Sequence, residues 1–175
     1  MFFKILNYGV AESYPVIALP KYFLSSLMII SAKASDHNTL THLTRRSKAY
    51  WGYSTEQIQK WAKELTITPN YIRDNIIYKL VQDKKIIGYY SLIQIDPQTI
   101  ELDNLFIHPN VIGKGMGSLL LQDAINRSKD GSYTRMKLYA DPHATDFYLK
   151  KGFEVIEQLE TAIPDRYLPI MQRIL

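Results

Sequence analysis

Apolar positions along the chain change their spacing several times, and each spacing predicts a different kind of element. Between residues 75 and 107 three apolar runs with an alternating pattern are separated by polar turns, which is typical of strands. Elsewhere apolar residues recur every three or four positions, which is typical of helices with one buried face. The order predicted from residue 28 is β-α-α-β-β-β-α-β-α-β-β. This order indicates an α/β (α+β) domain with a mixed, mainly antiparallel sheet of about seven strands flanked by about four helices.

Local signals set the predicted ends of these elements. The predicted strands are 28–33, 75–81, 86–95, 99–107, 134–140, 153–159 and 167–174, and the predicted helices are 37–50, 54–65, 117–128 and 142–151. Asp36 is a candidate N-cap for the first helix, and Ser54 with Gln57 makes a capping-box pattern for the second. Thr68-Pro69-Asn70 has a loop composition, and Gly88 is a candidate β-bulge.

The chain divides into an extension and one domain. Residues 1–27 contain two prolines and no clear period, so we expect them to lie outside the main core, and Met28 is an alternative natural start. Residues 28–175 have the length of one domain. No apolar stretch approaches ~18 residues, and polar residues interrupt the stretch after Lys4. We therefore expect no membrane span, no signal peptide and a cytoplasmic location.

Composition narrows the chemistry. The 175 residues include no cysteine, which excludes disulfides, a thiol nucleophile and thiolate metal sites. The four histidines have no metal-ligand spacing, so we expect no metal. A net charge of +4 suits an anionic ligand without indicating a nucleic-acid-binding protein.

A glycine-rich turn precedes the predicted third helix. Gly113, Gly115 and Gly117 alternate with Lys114 and Met116 between a strand and a helix. Glycines let backbone N–H groups surround an anion, and the helix N-terminus adds partial positive charge. The spacing matches neither a P-loop nor the dinucleotide fingerprint in its usual first βαβ unit. The turn therefore predicts a phosphate or pyrophosphate site of another kind.

Two blocks resemble the GNAT superfamily of N-acetyltransferases. Residues 102–120, through Gly113-Lys114-Gly115-Met116-Gly117-Ser118, resemble its acyl-CoA-binding motif. Residues 141–153 resemble its Asn-x-x-Ala-x-x-Phe-Tyr-x-Lys-x-Gly-Phe pattern. The resemblance covers about 28–175. Ile112 stands where the superfamily usually has Arg or Gln, and Asp141 replaces the usual Asn. The tail 163–169 resembles a branch of uncharacterised GNAT-like proteins.

The resemblance implies acetyl-CoA as co-substrate and a set of donor-site residues. The residues carried over as cofactor-binding are Leu105, Phe106, Ile107, Ile112, Gly113, Lys114, Gly115, Met116, Gly117, Ser118, Asp141, Ala144 and Tyr148. The backbone N–H of Leu105 would polarise the thioester carbonyl, whose oxygen gains charge during transfer. Tyr148 would donate a proton to the departing sulfur.

The sequence specifies the catalytic base and the acceptor site less fully than the donor site. Glu101 is the candidate base and Asp103 the alternative, because Glu101, Asp103 and Leu105 would share one face of an alternating strand. Two carboxylates on that face could raise one pKa toward neutrality. The candidate acceptor-binding residues are Trp51, Tyr53, Asp103 and Arg166. The cations Arg45, Arg46 and Lys48 would suit an acidic group on the acceptor, or form only a solvated helix face.

These observations predict an acetyl-CoA-dependent N-acetyltransferase that acts on a primary amine of a small molecule or protein by direct attack in a ternary complex. Two alternatives stay open. One is a catalytically silent CoA-binding regulatory module, and the other is an RNA-directed acetyltransferase, for which the basic cluster of residues 45–48 is the one hint. Nucleic acid is the less expected partner at this net charge, and a homodimer is compatible with the resemblance.

Overall fold

The computed structural model of the chain describes residues 27–161 and 167–175. The seven strands described are β1 (Met28–Ser31), β2 (Ile76–Gln82), β3 (Lys85–Gln94), β4 (Thr99–Ile107), β5 (Arg135–Tyr139), β6 (Glu154–Glu160) and β7 (Tyr167–Ile174). The α-helices described are α1 (His37–Ala49), α2 (Thr55–Lys60), α3 (Pro69–Asp74), α4 (Met116–Asp130) and α5 (Thr145–Leu149). Nearly all of the predicted extension, and Arg166, lie outside the described residues.

The strands form one sheet in the order β1-β2-β3-β4-β5-β7-β6. All neighbours are antiparallel except β4 and β5, which run parallel. That parallel pair is short, because it joins only Thr99–Glu101 to Arg135–Lys137. Beyond Glu101 the two strands separate and leave a gap in the sheet. The predicted mixed sheet of seven strands is confirmed, with five helices described where about four were predicted.

Helices cover both faces of the sheet. Successive residues of β3 point to opposite faces, so buried Tyr89 packs in a cluster with α1 and α3, while buried Tyr90 packs in a cluster with α4. Tyr148 of α5 belongs to the α4 cluster. The gap between β4 and β5 therefore connects the α1 side of the sheet with the α4 and α5 side. Among the described helices, none is both long and apolar enough to cross a membrane.

One local prediction is wrong, and another, Asp36 as the N-cap of α1, is confirmed in position but not in its side-chain contacts. Thr68-Pro69-Asn70 starts α3 instead of a loop: the Thr68 hydroxyl accepts from Tyr71 N–H at 3.0 Å, and Pro69 occupies the first turn. Asp36 precedes α1, but its carboxylate accepts from Lys33 N–H and Lys79 Nζ at 2.7 and 2.6 Å instead of capping the helix. A buried lysine needs a charged partner, which competes with the cap.

Other local predictions are confirmed or slightly displaced. Ser54 caps α2 by accepting from Gln57 N–H at 3.1 Å. The helix then ends at Lys60, earlier than predicted. The pairing of β2 with β3 skips Ile87, so the bulge falls beside Gly88 and not on it.

A second bulge lies on β4 and changes which side chains point to each face of the sheet. Ser91 pairs with Asn104 and Leu92 with Leu102, so Asp103 is the extra residue. Before it, Leu102 faces the α4 cluster, and after it Leu105 faces that cluster. The prediction that Glu101, Asp103 and Leu105 share one face is therefore wrong, because one inserted residue reverses the alternation.

Gly88 gives the first testable prediction. A Cβ at Gly88 would lie 2.8 Å from the Ile107 side chain and 3.1 Å from the Phe106 carbonyl oxygen. We expect Gly88→Ala to lower the free energy of unfolding by about 1–2 kcal/mol, because overpacked cores store strain. Urea denaturation measures this change. Gly117→Ala is the control, since its Cβ would make only ordinary contacts at 3.7 Å or more. Equal midpoints for the two variants would contradict the close packing at Gly88.

Candidate active site

A cavity of about 500 Å³ lies where β4 and β5 separate. Its walls come from α1, β4, the glycine-rich turn and the segment that leads into α5. The lining residues are Ser47, Trp51, Leu105, Ile107, Ile112, Gly113, Gly115, Gly117, Ser118, His143, Ala144, Phe147 and Tyr148. Ser47 belongs to the helix on one face of the sheet, whereas Ser118 and Tyr148 belong to helices on the other. The cavity therefore passes through the gap in the sheet, and two reactants could meet there from opposite sides.

The glycine-rich turn forms one end of this cavity. Gly113 and Gly115 have φ values of +77° and +82°, which L side chains rarely adopt. The first bond within α4 runs from Leu119 N–H to the Gly115 carbonyl at 3.0 Å. The amides of the residues between them, Met116 to Ser118, thus have no partner within the helix. Exposed amides at a helix N-terminus, with the ammonium of Lys114 in the same turn, suit a phosphate group.

The backbone of Leu105 faces the gap. His108 N–H donates to the Ile87 carbonyl of β3 at 2.8 Å. N–H groups alternate between the two edges of a strand, so the Leu105 N–H points to the edge that β5 has left. The side chain of Leu105 also lines the cavity. An N–H donor at this place could stabilise negative charge on an oxygen bound in the gap.

Tyr148 brings a phenol to the same cavity. Its side chain is 8% exposed and packs edge-on against Phe147 and Phe153, with ring centroids 5.0 and 5.6 Å apart. Burial, and secondarily the charge of Asp141, raises the pKa of the Tyr148 hydroxyl. The phenol therefore keeps its proton across the neutral range and is a proton donor.

Asp141 joins the two sides of the site. Its carboxylate forms an ion pair with Lys48 of α1, accepts from the Tyr53 hydroxyl at 3.0 Å and accepts from His143 N–H at 3.0 Å. Burial opposes ionisation of Asp141, but the hydrogen bond and charge of Lys48 outweigh it and hold the pKa of the carboxyl below its usual value. The carboxylate that replaces the expected Asn is thus already occupied within the chain.

Four rings stand beside this ion pair, and we call Trp51, Tyr53, Trp61 and His143 the aromatic wall. Trp51 stacks on His143 with centroids 5.8 Å apart and an interplanar angle of 10°. Tyr53 contacts His143 and Trp61 edge-on at 5.7 and 5.0 Å. Two of these rings, Trp51 and His143, line the cavity.

Comparison with known proteins shows the family to which the chain belongs. The family model described as "Acetyltransferase (GNAT) domain" matches residues 50–162. The chain belongs to the GNAT acetyltransferase family. Within this family it is similar to an uncharacterised N-acetyltransferase, ycf52, of Gracilaria tenuistipitata var. liui, at 23% identity over 90 residues. That match covers 51% of the chain and 50% of ycf52, so the chain spans about half the length of the curated relatives it matches.

Solved structures extend the similarity over the whole GNAT fold. The PaiA N-acetyltransferase of Thermoplasma acidophilum, solved in complex with coenzyme A, superimposes with a TM-score of 0.73 at 26% identity. The match covers 86% of this chain and 99% of that one. A GNAT family acetyltransferase of Elizabethkingia anophelis with acetyl-CoA bound shares the fold, with a TM-score of 0.60, 21% identity and 85% and 98% coverage.

The two carboxylates of β4 lie outside the lining of the GNAT cavity. Burial, and then the nearby charge of Asp103, raises the pKa of Glu101, while Lys137 opposes the shift. Asp103 is exposed and accepts hydrogen bonds from the Tyr71 hydroxyl and, at 2.7 Å, from Asn104. Neither acid reaches the cavity wall directly.

The remaining predicted residues divide between the cavity and its surroundings. Of the predicted donor-site residues, Phe106 packs on the α1 side of the sheet, and Lys114, Met116 and Asp141 also lie outside the lining. Trp51 lines the cavity, and Tyr53 stands behind it against Asp141. The other nine predicted donor-site residues all line it.

Sequence reasoning missed three lining residues. Ser47, His143 and Phe147 line the cavity without having been predicted to. Phe147 and His143 stand inside the second sequence block, so their places there were a usable signal. Ser47 had no such signal, because its role depends on how α1 packs on the sheet.

The predicted cation cluster is largely engaged within the chain. Arg45 donates to the Ala62 carbonyl and to the Thr66 hydroxyl at 3.3 and 2.9 Å, and Lys48 pairs with Asp141. In the ranges 27–161 and 167–175, no group of three or more histidine, aspartate or glutamate side chains is arranged to hold a metal ion.

Proposed function

We propose that the chain is an acetyl-CoA-dependent N-acetyltransferase that acetylates a primary amine of a small molecule or protein by direct attack in a ternary complex. One observation carries the proposal: a single cavity, open through the gap between β4 and β5, joins the glycine-rich turn, the Leu105 backbone and Tyr148. Family membership supports the activity, and related structures hold coenzyme A or acetyl-CoA.

The donor would bind along the α4 side of the cavity. Amides of the glycine-rich turn and the charge of Lys114 would hold its pyrophosphate. The thioester would then reach the gap, where the Leu105 N–H can bind its carbonyl oxygen. This side of the cavity needs no contact from Asp141, whose carboxylate already binds Lys48.

Transfer requires the amine nitrogen to attack the thioester carbonyl carbon. Charge that develops on the oxygen is stabilised by the Leu105 N–H, and the departing sulfur takes a proton from Tyr148. The amine must also lose a proton. Glu101 is the base that the sequence suggests, but it lies outside the cavity lining and could reach the amine only through water.

A change in the glycine-rich turn tests the donor site. We expect Gly115→Ala to weaken acetyl-CoA binding at least ~10-fold, because a Cβ at this φ costs roughly 1–2 kcal/mol and displaces the amides. Nothing lies within 4 Å of that Cβ, so the cause is backbone geometry and not a clash. Isothermal titration calorimetry with acetyl-CoA measures the affinity, with free CoA and NADH as comparison ligands.

Gly152→Ala is the matched control for this measurement. Gly152 has a φ of +79°, and its Cβ would make only ordinary contacts at 3.8 Å, but the residue does not line the cavity. This variant should lose similar stability and keep its acetyl-CoA affinity. If the unaltered protein did not bind acetyl-CoA, the transferase proposal would be wrong.

One competing function has an observation in its favour. A catalytically silent CoA-binding module is compatible with the occupied carboxylate of Asp141, and release of free CoA thiol in the presence of amines separates it from an enzyme.

An RNA acceptor is less supported, because Arg45 and Lys48 are engaged within the chain. A homodimer in the cytoplasm is the expected setting, and light scattering tests the dimer.

A further inference from the structure

The charge of the cavity restricts the amine that can enter it. Within the described part of the chain, the lining includes no aspartate, glutamate, lysine or arginine. Its titratable side chains are His143 and Tyr148. A cation moved from water into such a cavity loses hydration without gaining an ionic partner. The acceptor nitrogen is therefore favoured as a neutral amine.

Neutral amine is scarce for strongly basic acceptors. A lysine-like amine with a pKa near 10.4 is neutral in about one molecule in 2,500 at pH 7, whereas a peptide α-amine with a pKa near 7.7–8.0 is neutral in about one in six to ten. If only the neutral form enters the cavity, the neutral fraction available at pH 7 is several hundred times larger for the weakly basic amine.

If the aromatic wall bound the ammonium form of an acceptor, that binding would offset the preference for neutral amines. The wall, however, already binds the Lys48 ammonium. The Lys48 ammonium lies 5.2 Å from the Tyr53 ring centroid and 5.6 Å from the Trp61 centroid. Asp141 neutralises that ammonium, so no net negative charge remains there for a second cation. Of the four rings of the aromatic wall, those of Trp51 and His143 line the cavity.

His143 is held in place for contact with an acceptor. Its backbone N–H donates to Asp141, and its ring is fixed between Trp51 and Tyr53. The Asp141 carboxylate that accepts this N–H is ion-paired with Lys48 and accepts from the Tyr53 hydroxyl. A neutral imidazole has one ring nitrogen free to accept, so it can take a proton from an attacking amine.

We propose that the acceptor is a weakly basic amine, a peptide α-amine or an arylamine, bound against Trp51 and His143, and that His143 accepts its proton. The nitrogen–carbon bond forms as the carbon–sulfur bond breaks. The amine proton passes to the imidazole and the Tyr148 proton to sulfur. Solvent then returns the imidazolium proton to Tyr148, which leaves the amide and CoA thiol. The inference rests on the proposed function and names its substrate class.

The acceptor class is tested with two matched peptides and one arylamine. The first peptide has a free α-amine and acetylated lysines, the second has an acetylated N-terminus and one free lysine, and the arylamine is p-anisidine. Thiol release with acetyl-CoA should be at least ~10-fold faster for the α-amine peptide than for the lysine peptide at pH 7, and p-anisidine should also react. A faster lysine peptide, or no reaction with the α-amine peptide and p-anisidine, would overturn the proposal.

The base is tested by the pH dependence of kcat/KM with p-anisidine, which is itself neutral throughout the neutral range. His143→Gln should lower kcat/KM about 100-fold and abolish the fall in rate of the unaltered enzyme toward acid pH. His42→Gln, on the exposed surface of α1, is the control. Loss of the acid limb in Glu101→Gln, with the limb kept in His143→Gln, would assign the proton to Glu101 instead.

Acetyl-CoA titration separates these failures from failure of the proposed function. His143→Gln should bind acetyl-CoA as the unaltered protein does, which also reports that it folds. If acetyl-CoA binds and no weakly basic amine reacts, the acceptor proposal fails while the donor site stands. If acetyl-CoA does not bind, the transferase proposal fails first.

Discussion

Replacing Tyr148 with phenylalanine is expected to lower kcat about 100- to 1,000-fold and to leave acetyl-CoA affinity nearly unchanged. The hydroxyl is a buried proton donor in the cavity lining, and loss of a general acid typically costs at least ~100-fold. The ring itself would stay packed between Phe147 and Phe153, so the shape of this part of the cavity should persist.

The expected pH dependence of the unaltered enzyme follows from the burial of Tyr148. Burial, with the charge of Asp141, raises the pKa of the phenol, so the donor form persists to alkaline pH. The rate of the unaltered enzyme should therefore not fall between pH 7 and 9 through loss of the Tyr148 proton. Steady-state thiol release with the best acceptor measures both the rate and its pH dependence.

Tyr133→Phe is the matched control, because Tyr133 is half-buried and lies outside the cavity lining. It should keep its full rate. A Tyr148→Phe enzyme with unchanged kcat would show that another group, or water, protonates the sulfur. Weaker acetyl-CoA binding with unchanged kcat would instead indicate a packing role.

The elements that determine the fold could be predicted from the sequence because their signals are local. Alternation in residues 75–107 predicts the meander, and the spaced glycines predict the turn in which Gly113 and Gly115 have positive φ. Even the β4 bulge left a trace. Apolar residues recur at 100 and 102 and then at 105 and 107, and the spacing of three across Asp103-Asn104 is the inserted residue. Strict alternation across that break predicts that Glu101 and Leu105 share a face, whereas the inserted residue puts them on opposite faces.

Features that depend on distant residues could not be predicted in the same way. Lys48 and Asp141 are 93 positions apart, and neither charge has a sequence neighbour that indicates the other. Their pairing follows from how α1 packs across the gap in the sheet. The same packing brings Ser47 and Trp51 to the cavity, which is why the acceptor side was predicted less completely than the donor side.

Replacing Lys48 with methionine is expected to lower the free energy of unfolding by about 3 kcal/mol, because it removes the ammonium that is ion-paired with the mostly buried Asp141 carboxylate. The two side chains are only 16% and 15% exposed, so water compensates little. Methionine keeps the apolar stem between the Tyr53 and Trp61 rings, which limits the change to the charge. Urea denaturation at pH 7 measures the effect.

The double variant Lys48→Met with Asp141→Asn is the control that isolates the ion pair. A neutral amide oxygen can still accept from Tyr53 and from His143 N–H, so the double variant should recover most of the lost stability. Equal destabilisation of the single and double variants would show that packing, and not the unpaired charge, causes the loss.

The ion pair also predicts how stability depends on pH. The pKa of Asp141 is depressed in the folded protein, so its contribution is complete above the unfolded pKa of about 4 and is lost as pH falls through the lower, folded value. The unaltered protein should therefore lose stability between about pH 5 and pH 2 more steeply than the double variant, which lacks this carboxyl. Parallel curves would mean that Asp141 ionises as readily in the unfolded chain, and that the Lys48 contact contributes no net electrostatic free energy.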